Sequence, residues 1–256
     1  MRTDFLFTKN MKILVAISNV PDTTTKIAFS DNDTKFNTSG VQFIINPYDE
    51  WYALVRALEL KETLGGTVTV INAGKADSEQ IIRKALALGA DDAVRIDLDP
   101  ADAYQVAANI AAYAKTEQFD IILTGKETID YNGGVVGGML AEMLDLPYVS
   151  MSSKLDVDGT TLKIEREMEG VKETVQVKTP CVISAQKGMA EARIPNMRGI
   201  LASKTKPVKV INPDVTVVKA GVKVFALPAE KTGCKMISPD DAAQLVGMLH
   251  NDAKVI

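Results

Sequence analysis

The most constraining feature of the sequence is a regular alternation between short apolar runs and amphipathic periodic runs. The apolar runs have the length and composition of buried strands and occupy residues 12–18, 41–45, 67–72, 93–96 and 120–124. The periodic runs occupy residues 46 to about 64, 78–88, 103–116, and 133 or 134 to 145. This alternation predicts an α/β domain with a parallel sheet, right-handed crossovers and helices on both faces. In such a sheet, ligands bind beyond the carboxyl ends of the strands, near the point where the strand order reverses.

The pattern changes after Pro147, where strand-like segments are separated by turn residues. These segments cover residues 155–160, 162–168, 171–178 and 182–185, with Asp158-Gly159 and Glu169-Gly170 at two predicted hairpin turns. Beyond Gln186 the chain has few periodic apolar faces until a last helix from residue 239 to about residue 251. A long segment without a core of its own predicts an arm that packs on another protein. We therefore expect a short disordered lead (residues 1–10), an α/β domain (11–186) and an arm (187–256).

Charge and residue usage argue against several classes of function. A net charge of −4 and a pI of about 5.2 are unlike a nucleic-acid-binding protein, and no apolar run reaches the roughly 20 residues of a membrane helix. Two distant cysteines and the single histidine, His250, give no metal-site spacing and no histidine-based triad. We therefore expect no metal site. The first ten residues lack the apolar core of a signal peptide, which predicts a cytoplasmic location.

A glycine-rich loop is the strongest candidate for a binding site. It follows the predicted strand at 120–124, and residues 133–138 carry four glycines in the spacing G-G-x-x-G-G. Such glycines let backbone N–H groups approach a phosphate, the following helix N-terminus adds positive potential, and Lys126 adds a cation. The loop is neither a Walker loop nor the usual dinucleotide fingerprint. The pattern favours phosphate binding, and a turn that only permits close helix–sheet packing is the alternative.

Three other segments are predicted to lie at the same edge of the sheet. Ala16 stands near the end of the first strand, and Asn72 ends the strand at 67–72. Asn46 and Pro47 read as the cap and first position of a helix, and Asp49 and Glu50 would complement the helix dipole. That capped start explains these residues without a ligand. No paired acid–base set stands out, so we expect no catalytic residues.

An ordered set of segments resembles the β subunits of electron-transfer flavoproteins. The resemblance covers nearly everything from Met11 onward. The segments are VAISNVPDTT (15–24), NPYDEWYALVRALELKE (46–62), IRKALALGADDAVRI (82–96), LTGKETID (123–130), KIEREMEGVKETVQVKTPCVISA (163–185), RIPNMRGILASK (193–204) and KTGCKMISPDD (231–241).

The resemblance implies a fold, cofactors and partners that the spacing did not supply. It implies an adenine nucleotide α-hydrolase-like (Rossmann-like) domain over residues 11–186, and a recognition loop and partner-embracing arm over 187–256. It implies pairing with an α subunit, a structural AMP in this chain, and one FAD held mostly by the α subunit at the shared interface. Electrons would pass from acyl-CoA or related dehydrogenases to a membrane electron transfer flavoprotein-quinone oxidoreductase, with no bond-making chemistry in this chain.

Site residues follow from the same resemblance, position by position. The AMP contacts would be Ala16, Asn46, Pro47, Tyr48, Asp49, Asn72, Gly125, Lys126, Asp130, Asn132, Gly133, Gly134, Val135 and Val136. The partner-binding residues would be Arg193, Ile194, Pro195 and Glu167. Ile194 stands where the family has a leucine that anchors dehydrogenases, and Glu167 matches an acidic residue that pairs with an arginine of the α subunit.

Two alternatives to this reading differ in what they bind. Electron-bifurcating members of the family carry a second FAD in this subunit, but residues 97–103 lack their glycine- and threonine-bearing pattern. In the AMP reading, the family often has a glutamine at the position of Val135. Backbone N–H groups would therefore have to hold the AMP phosphate in this chain. An ATP-binding stress-type protein would share the α/β pattern, but such small domains do not need the long arm after Gln186.

Overall fold

In the computed structural model, the described residues are 10–230 and 233–256, so nine of the ten residues of the expected N-terminal lead lie outside them. The strands are β1 (Met11–Ala16), β2 (Asn19–Pro21), β3 (Phe29–Ser30), β4 (Lys35–Phe36), β5 (Phe43–Ile45), β6 (Gly66–Gly74), β7 (Asp92–Asp97), β8 (Ile121–Gly125), β9 (Tyr148–Asp158), β10 (Thr161–Met168), β11 (Val171–Lys178), β12 (Cys181–Ala185) and β13 (Lys209–Ile211). The helices are α1 (Glu50–Leu64), α2 (Glu79–Leu88), α3 (Ala103–Thr116), α4 (Val136–Leu144), α5 (Met197–Thr205) and α6 (Ala242–Met248). A 3₁₀ turn (Ala76–Ser78) precedes α2, and a π-helical turn (Leu249–Ala253) follows α6. The described residues form two compact units: residues 10–28 with 37–223, and Phe29–Phe36 with Val224–Ile256.

The first unit is built on a large, mostly parallel sheet, as the alternation predicted. The strand order is β11-β10-β9-β12-β8-β1-β6-β7-β13. The six strands from β12 to β13 in this order are parallel, β9 pairs parallel with β12, and β9, β10 and β11 form an antiparallel meander. Because β6 and β7 lie on one side of β1 and β8 lies on the other, the order reverses between β1 and β8. This is where a ligand site is expected in such a sheet.

The core lies on both faces of this sheet. In β1, Ile13 and Val15 belong to one apolar cluster, whereas Leu14 and Ala16 belong to the other. Alternate residues of a strand point to opposite faces, so a strand buried on both faces is apolar throughout. The first cluster receives side chains of α1 and α2, and the second receives those of α3 and α4.

Three helices begin two or more residues later than the sequence predicted: α1, α4, and α6, which was predicted from residue 239 and begins at Ala242. The predicted Asn46 cap is wrong, because α1 begins at Glu50 and the Asn46 side-chain amide donates instead to the Glu127 carbonyl at 2.7 Å. Helix α4 begins at Val136, which leaves Gly133 and Gly134 in the preceding loop. Helix α3 has the predicted bounds, and Asp102 caps it by accepting from the Gln105 N–H at 2.7 Å.

The segment after β12 contains more regular structure than its sequence indicated. Strand β13 pairs with β7 at the edge of the sheet, and α5 packs against α2. A Cβ atom at Gly199 would lie 2.2 Å from the Ala87 carbonyl oxygen, so this close backbone approach requires glycine. Residues 187–223 of this segment therefore belong to the first unit. That the segment packs on another protein remains a prediction.

The second unit is small and contains the β3–β4 hairpin and α6. The rings of Phe29 and Phe225 stack with their centroids 4.9 Å apart, and the Phe225 N–H donates to the Asp33 carbonyl at 2.7 Å. Apolar side chains of this unit are largely exposed, among them Leu227, Val246 and Ile256.

Candidate functional site

The carboxyl ends of β1 and β8 meet the start of α1 at the reversal point of the sheet. Gly125, the last residue of β8, lies directly against this helix end. A Cβ atom at Gly125 would lie 2.8 Å from Glu50 Cγ and 3.2 Å from Asp49 Cβ. A glycine is therefore required for the β8 end and the α1 start to come this close.

A buried carboxyl group occupies the centre of this region. Glu50 is 6% exposed, and the Ser18 hydroxyl oxygen lies within hydrogen-bond distance of both of its carboxyl oxygens, at 2.8 and 2.9 Å, while the Ser18 N–H donates to Oε2. Burial raises the pKa of Glu50 to about 8 against the opposing effect of the Ser18 hydrogen bonds, and the carboxylates of Asp130 and Asp49 raise it further. At neutral pH the group is therefore mainly protonated, so this edge of the sheet carries less negative charge than its residues suggest.

Sequence reasoning assigned Glu50 only to the helix dipole and missed this role. A signal was present, because Ala53 and Leu54 stand three and four residues after Glu50 and are fully buried. Positions so spaced share one face of a helix. Glu50 therefore had to point toward the core.

The segment before α1 is clamped to the segment after β8. Besides the Asn46 bond to the Glu127 carbonyl, the Glu127 N–H donates to Asp49 Oδ2 at 3.1 Å. The Lys126 N–H donates to the Ala185 carbonyl at 2.8 Å, and the Lys126 ammonium pairs with the Glu127 carboxylate at 3.0 Å. Burial raises the pKa of Asp49, against the hydrogen bond from Glu127 and the charge of Lys126.

The glycine-rich loop then leads into α4. The Asn132 N–H donates to the Thr128 carbonyl at 2.9 Å, and Asn132 has a positive φ of 50°. Asp130 Oδ1 accepts from the N–H of the next residue at 2.8 Å. No side chain caps the start of α4 at Val135. Because no side-chain cap occupies them, the first N–H groups of this helix are available to an anion.

The two glycines of this loop differ in the space beside them. A Cβ atom at Gly133 would meet nothing closer than the Thr128 hydroxyl at 3.8 Å, whereas one at Gly134 would lie 3.1 Å from the Lys126 carbonyl oxygen. Packing within the chain therefore explains a glycine at 134 but gives no reason for one at 133.

A cavity of about 220 Å³ lies beside this loop, lined by Tyr48, Asp49, Lys126, Glu127, Thr128, Ile129, Asn132, Gln186 and Lys187. The structure thus brings together four predicted site residues: Tyr48, Asp49, Lys126 and Asn132. The other ten predicted contacts do not line this cavity: Ala16, Asn46, Pro47, Asn72, Gly125, Asp130, Gly133, Gly134, Val135 and Val136. Gln186 and Lys187, which follow β12, do line it, and the sequence did not single them out.

Several buried side-chain oxygens near these strand ends, those of Asn46 and Asn72 among them, have no hydrogen-bond partner among the described residues. Asn72 is 1% exposed, its amide nitrogen donates to the Ile17 carbonyl at 2.9 Å, and its Oδ1 is left unpaired. Asn46 Oδ1 is unpaired in the same way. Buried acceptors without a partner are costly, and donors of a bound molecule or of water would satisfy them.

The predicted partner-binding residues lie on two different elements. Glu167 is on the β10–β11 hairpin, where its carboxylate accepts from Lys172 Nζ at 2.7 Å. Arg193, Ile194 and Pro195 lie in the loop between β12 and α5, and Ile194 is 87% exposed. The Arg193 guanidinium is engaged within the chain by Glu62 on α1.

Two further observations concern the described residues alone. Within residues 10–230 and 233–256, no group of three or more histidine, cysteine, aspartate or glutamate side chains is arranged to hold a metal ion. No helix in that part of the chain has both the length and the apolarity needed to cross a membrane.

Comparison with known proteins agrees with the fold and with the sequence segments. Residues 33–216 match the model of the electron transfer flavoprotein domain. The chain is 36% identical to the electron transfer flavoprotein subunit beta of Bacillus subtilis, over 96% of this chain and 100% of that protein. It is 34% identical to the subunits of the same name from Homo sapiens (90% and 94% covered) and from Syntrophomonas wolfei (96% and 98% covered). The chain therefore belongs to the electron transfer flavoprotein family and is of the beta-subunit type.

Proposed function

We propose that this chain pairs with an electron transfer flavoprotein alpha subunit, binds one AMP, and helps to enclose the FAD that the alpha subunit holds. The pair carries electrons from acyl-CoA or related dehydrogenases to an electron transfer flavoprotein-quinone oxidoreductase. FAD, when bound, supplies the electron-carrying chemistry. The residues of this chain bind, orient and exclude water. Family membership supports the pairing, and the residues around the glycine-rich loop support the nucleotide.

One observation carries the AMP proposal, namely the open space at Gly133 next to the uncapped start of α4. A phosphate group beside residues 133–136 would accept from backbone N–H groups and lie at the positive end of the helix dipole. Val135 is 49% exposed and offers no polar side-chain atom, so the backbone has to provide the donors. The mainly neutral state of Glu50 lessens the repulsion that a phosphate would meet here.

The nucleoside part of AMP suits the acceptors on the other side of this region. Asn46 and Asn72 each direct their amide nitrogen to a main-chain carbonyl, which leaves Oδ1 as a fixed acceptor. An exocyclic amino group or a ribose hydroxyl can donate to such an oxygen. The cavity beside Tyr48 and Lys126 provides adjacent space, although at about 220 Å³ it is smaller than the roughly 300–1,000 Å³ of typical ligand pockets. AMP would therefore extend beyond it.

Nucleotide content of the complex tests the proposal. The chain is co-purified with its alpha partner, the complex is denatured, and AMP and FAD are quantified by chromatography. One AMP and one FAD per heterodimer are expected. Two FAD and no AMP would instead identify an electron-bifurcating subunit, and the absence of both would contradict the proposal.

A substitution at Gly133 tests where the phosphate binds. Gly133→Val fills the space that we assign to the phosphate. No atom of the described residues lies within 4 Å of a Cβ atom at Gly221, so Gly221→Val is a matched control. We expect AMP to be lost in the first variant and kept in the second. An unchanged AMP content in Gly133→Val would show that the phosphate binds elsewhere.

We further propose that Ile194 anchors the electron-donating dehydrogenase. An apolar side chain that is 87% exposed beside the exposed Met197 and Leu201 of α5 is suited to bury itself in a partner. Ile194→Ala should weaken docking by about tenfold, since truncating an interface anchor costs about 1–2 kcal/mol. The FAD content should not change. Equal docking by the variant and the wild type would contradict this role.

A further inference from the structure

The recognition loop, defined here as residues 187–196, is attached to the first unit at both ends. Near its start, Met189 is 4% exposed and belongs to the core. At its end, Asn196 caps α5 by accepting from the Gly199 N–H at 2.8 Å. Between these points the loop has no regular secondary structure, so other contacts must hold its exposed part.

One such contact lies directly beside Ile194. Arg193 Nη1 donates to Glu62 Oε1 at 2.6 Å, and Nη2 donates to Oε2 at 2.9 Å. This two-pronged arrangement is the strongest and most directional form of an arginine–carboxylate pair. Consistent with it, the hydrogen bond from Arg193 lowers the pKa of Glu62 below its usual range, and burial only partly opposes this.

On the other side of Ile194, the chain is held in place by the packing of α5. Gly199 brings α5 against the backbone of α2. Arg83 of α2 donates to the carbonyl of Ser203 at 2.8 Å and also to that of Lys206, at the end of α5. Ile194 therefore lies between Arg193, which is bound to α1, and α5, which is bound to α2. Its own side chain is exposed to solvent.

We infer that the Arg193–Glu62 pair is a positioning device that presets the recognition loop, so that Ile194 is already in its docking orientation before a dehydrogenase arrives. The inference rests on the docking role proposed for Ile194. Binding is weakened by the entropy lost when a flexible loop is ordered, and a loop that is ordered beforehand avoids this loss. The pair would act on docking through the position of the recognition loop.

This assignment differs from a direct contact between Arg193 and an acidic residue of the partner. The edge of the Arg193 guanidinium formed by its two terminal nitrogens faces Glu62, so an acidic residue of the partner that bound this edge would compete with Glu62. The two roles predict opposite effects of removing Glu62. Loss of the carboxylate would hinder docking if the pair positions the loop, and it would assist docking if it frees Arg193 for the partner.

The test uses the heterodimer with FAD bound and a purified acyl-CoA dehydrogenase reduced by its acyl-CoA substrate. The KM for the heterodimer and kcat are measured for the wild type and for Glu62→Gln, Ile194→Ala and the exchange Glu62→Arg with Arg193→Glu. Asp77→Asn removes one negative charge from an exposed residue before α2 and is the matched control. Hydrogen exchange of the amides in residues 187–196 is measured on the same samples.

We expect Glu62→Gln to raise KM about threefold with kcat and FAD content unchanged, in line with the worth of a well-formed exposed ion pair. Exchange in the recognition loop should become faster, the exchanged pair should restore both properties, and Asp77→Asn should resemble the wild type. If Ile194→Ala weakens docking, two results would overturn the inference: an unchanged or lower KM in Glu62→Gln, or an exchanged pair whose KM and loop exchange do not return to the wild-type values. If Ile194→Ala has no effect, the docking role itself fails, and the inference with it.

Discussion

Replacing Glu50 by glutamine should remove a large pH dependence from the stability of the protein. Glu50 is the buried carboxyl group at the reversal point of the sheet, and burial is the main reason that its pKa is raised from 4.5 to about 8. A glutamine keeps an acceptor oxygen for Ser18 but has no charge to desolvate. The free energies of unfolding of the wild type and the variant should therefore differ mainly at pH values at which the wild-type carboxyl group is ionised in the unfolded chain but not in the folded one.

The size and sign of the effect follow from the two pKa values of this group. Below pH 4.5 the group is protonated in both the folded and the unfolded state, so it does not lower the free energy of unfolding. Between pH 4.5 and about 8 the folded protein holds a proton that the unfolded chain has released, so the free energy of unfolding falls as pH rises. At about 1.4 kcal/mol per pH unit, the loss is about 3 kcal/mol at pH 7 and approaches roughly 5 kcal/mol above pH 8.

Urea unfolding of the purified chain between pH 5 and pH 8.5 measures this effect. Trp51, the only tryptophan of the chain, follows Glu50 directly and reports the unfolding of α1 through its fluorescence. The wild type should lose about 4 kcal/mol over this range and Glu50→Gln much less, because most of the slope comes from this carboxyl group. Glu59→Gln, at a half-buried position of the same helix where the carboxylate pairs with Arg56, is the control and should retain the wild-type slope. Parallel pH profiles for the wild type and Glu50→Gln would refute the reasoning.

Two further predictions concern the thiols and the packing of α5. Burial raises the pKa of Cys181 to about 12, while Cys234 is exposed. A disulfide reagent should therefore titrate one thiol per native chain and two in denaturant. Rapid reaction of both thiols in the native chain would contradict the burial of Cys181. Gly199→Ala places a Cβ atom 2.2 Å from the Ala87 carbonyl oxygen and should cost about 1–3 kcal/mol as overpacking. Thermal unfolding measures that loss, Gly221→Ala is the control, and equal melting temperatures for all three proteins would contradict the packing of α5 on α2.

Much of the fold was predictable because its signals are local. Strand β1 is apolar throughout, since both of its faces are covered, and α3 has a cap at Asp102 and an apolar stripe that fix its bounds. The hairpin turns at Gly159 and Gly170 need a positive φ, which the residue type reveals directly. The overall α/β class follows from such elements without any knowledge of their contacts.

Helix α5 and strand β13, which follow β12, escaped prediction for the opposite reason, whereas the last helix was predicted and is present as α6. Helix α5 approaches α2 through Gly199, and its one fully buried side chain is Ser203, so it has no apolar stripe to detect. Strand β13 has three residues and joins the sheet through its backbone. Asn46 shows the same limit, because its sequence context fits a helix cap, whereas its actual partner, Glu127, lies 81 residues away.

The candidate site was predictable in outline but not in its connections. The resemblance identified Tyr48, Asp49, Lys126 and Asn132, which line one cavity, although the AMP contacts themselves remain a proposal. The hydrogen bonds between Ser18 and Glu50 and the contribution of Gln186 arise from long-range packing. The clamp between the segments before α1 and after β8 likewise joins residues far apart in sequence, and no local pattern encodes it.

The segment that follows β12 connects the candidate nucleotide site with the recognition loop. Gln186 and Lys187 line the cavity, the Gln186 N–H donates to the Ser152 carbonyl at 2.9 Å, and Met189 is buried a few residues later. A nucleotide in this region would therefore touch the first residue of the loop whose far end carries Ile194. If AMP binds as proposed, it does so without taking part in electron transfer. Its contribution would be to hold the start of the loop, as the Arg193–Glu62 pair holds the end, so that the docking surface is ordered from both sides.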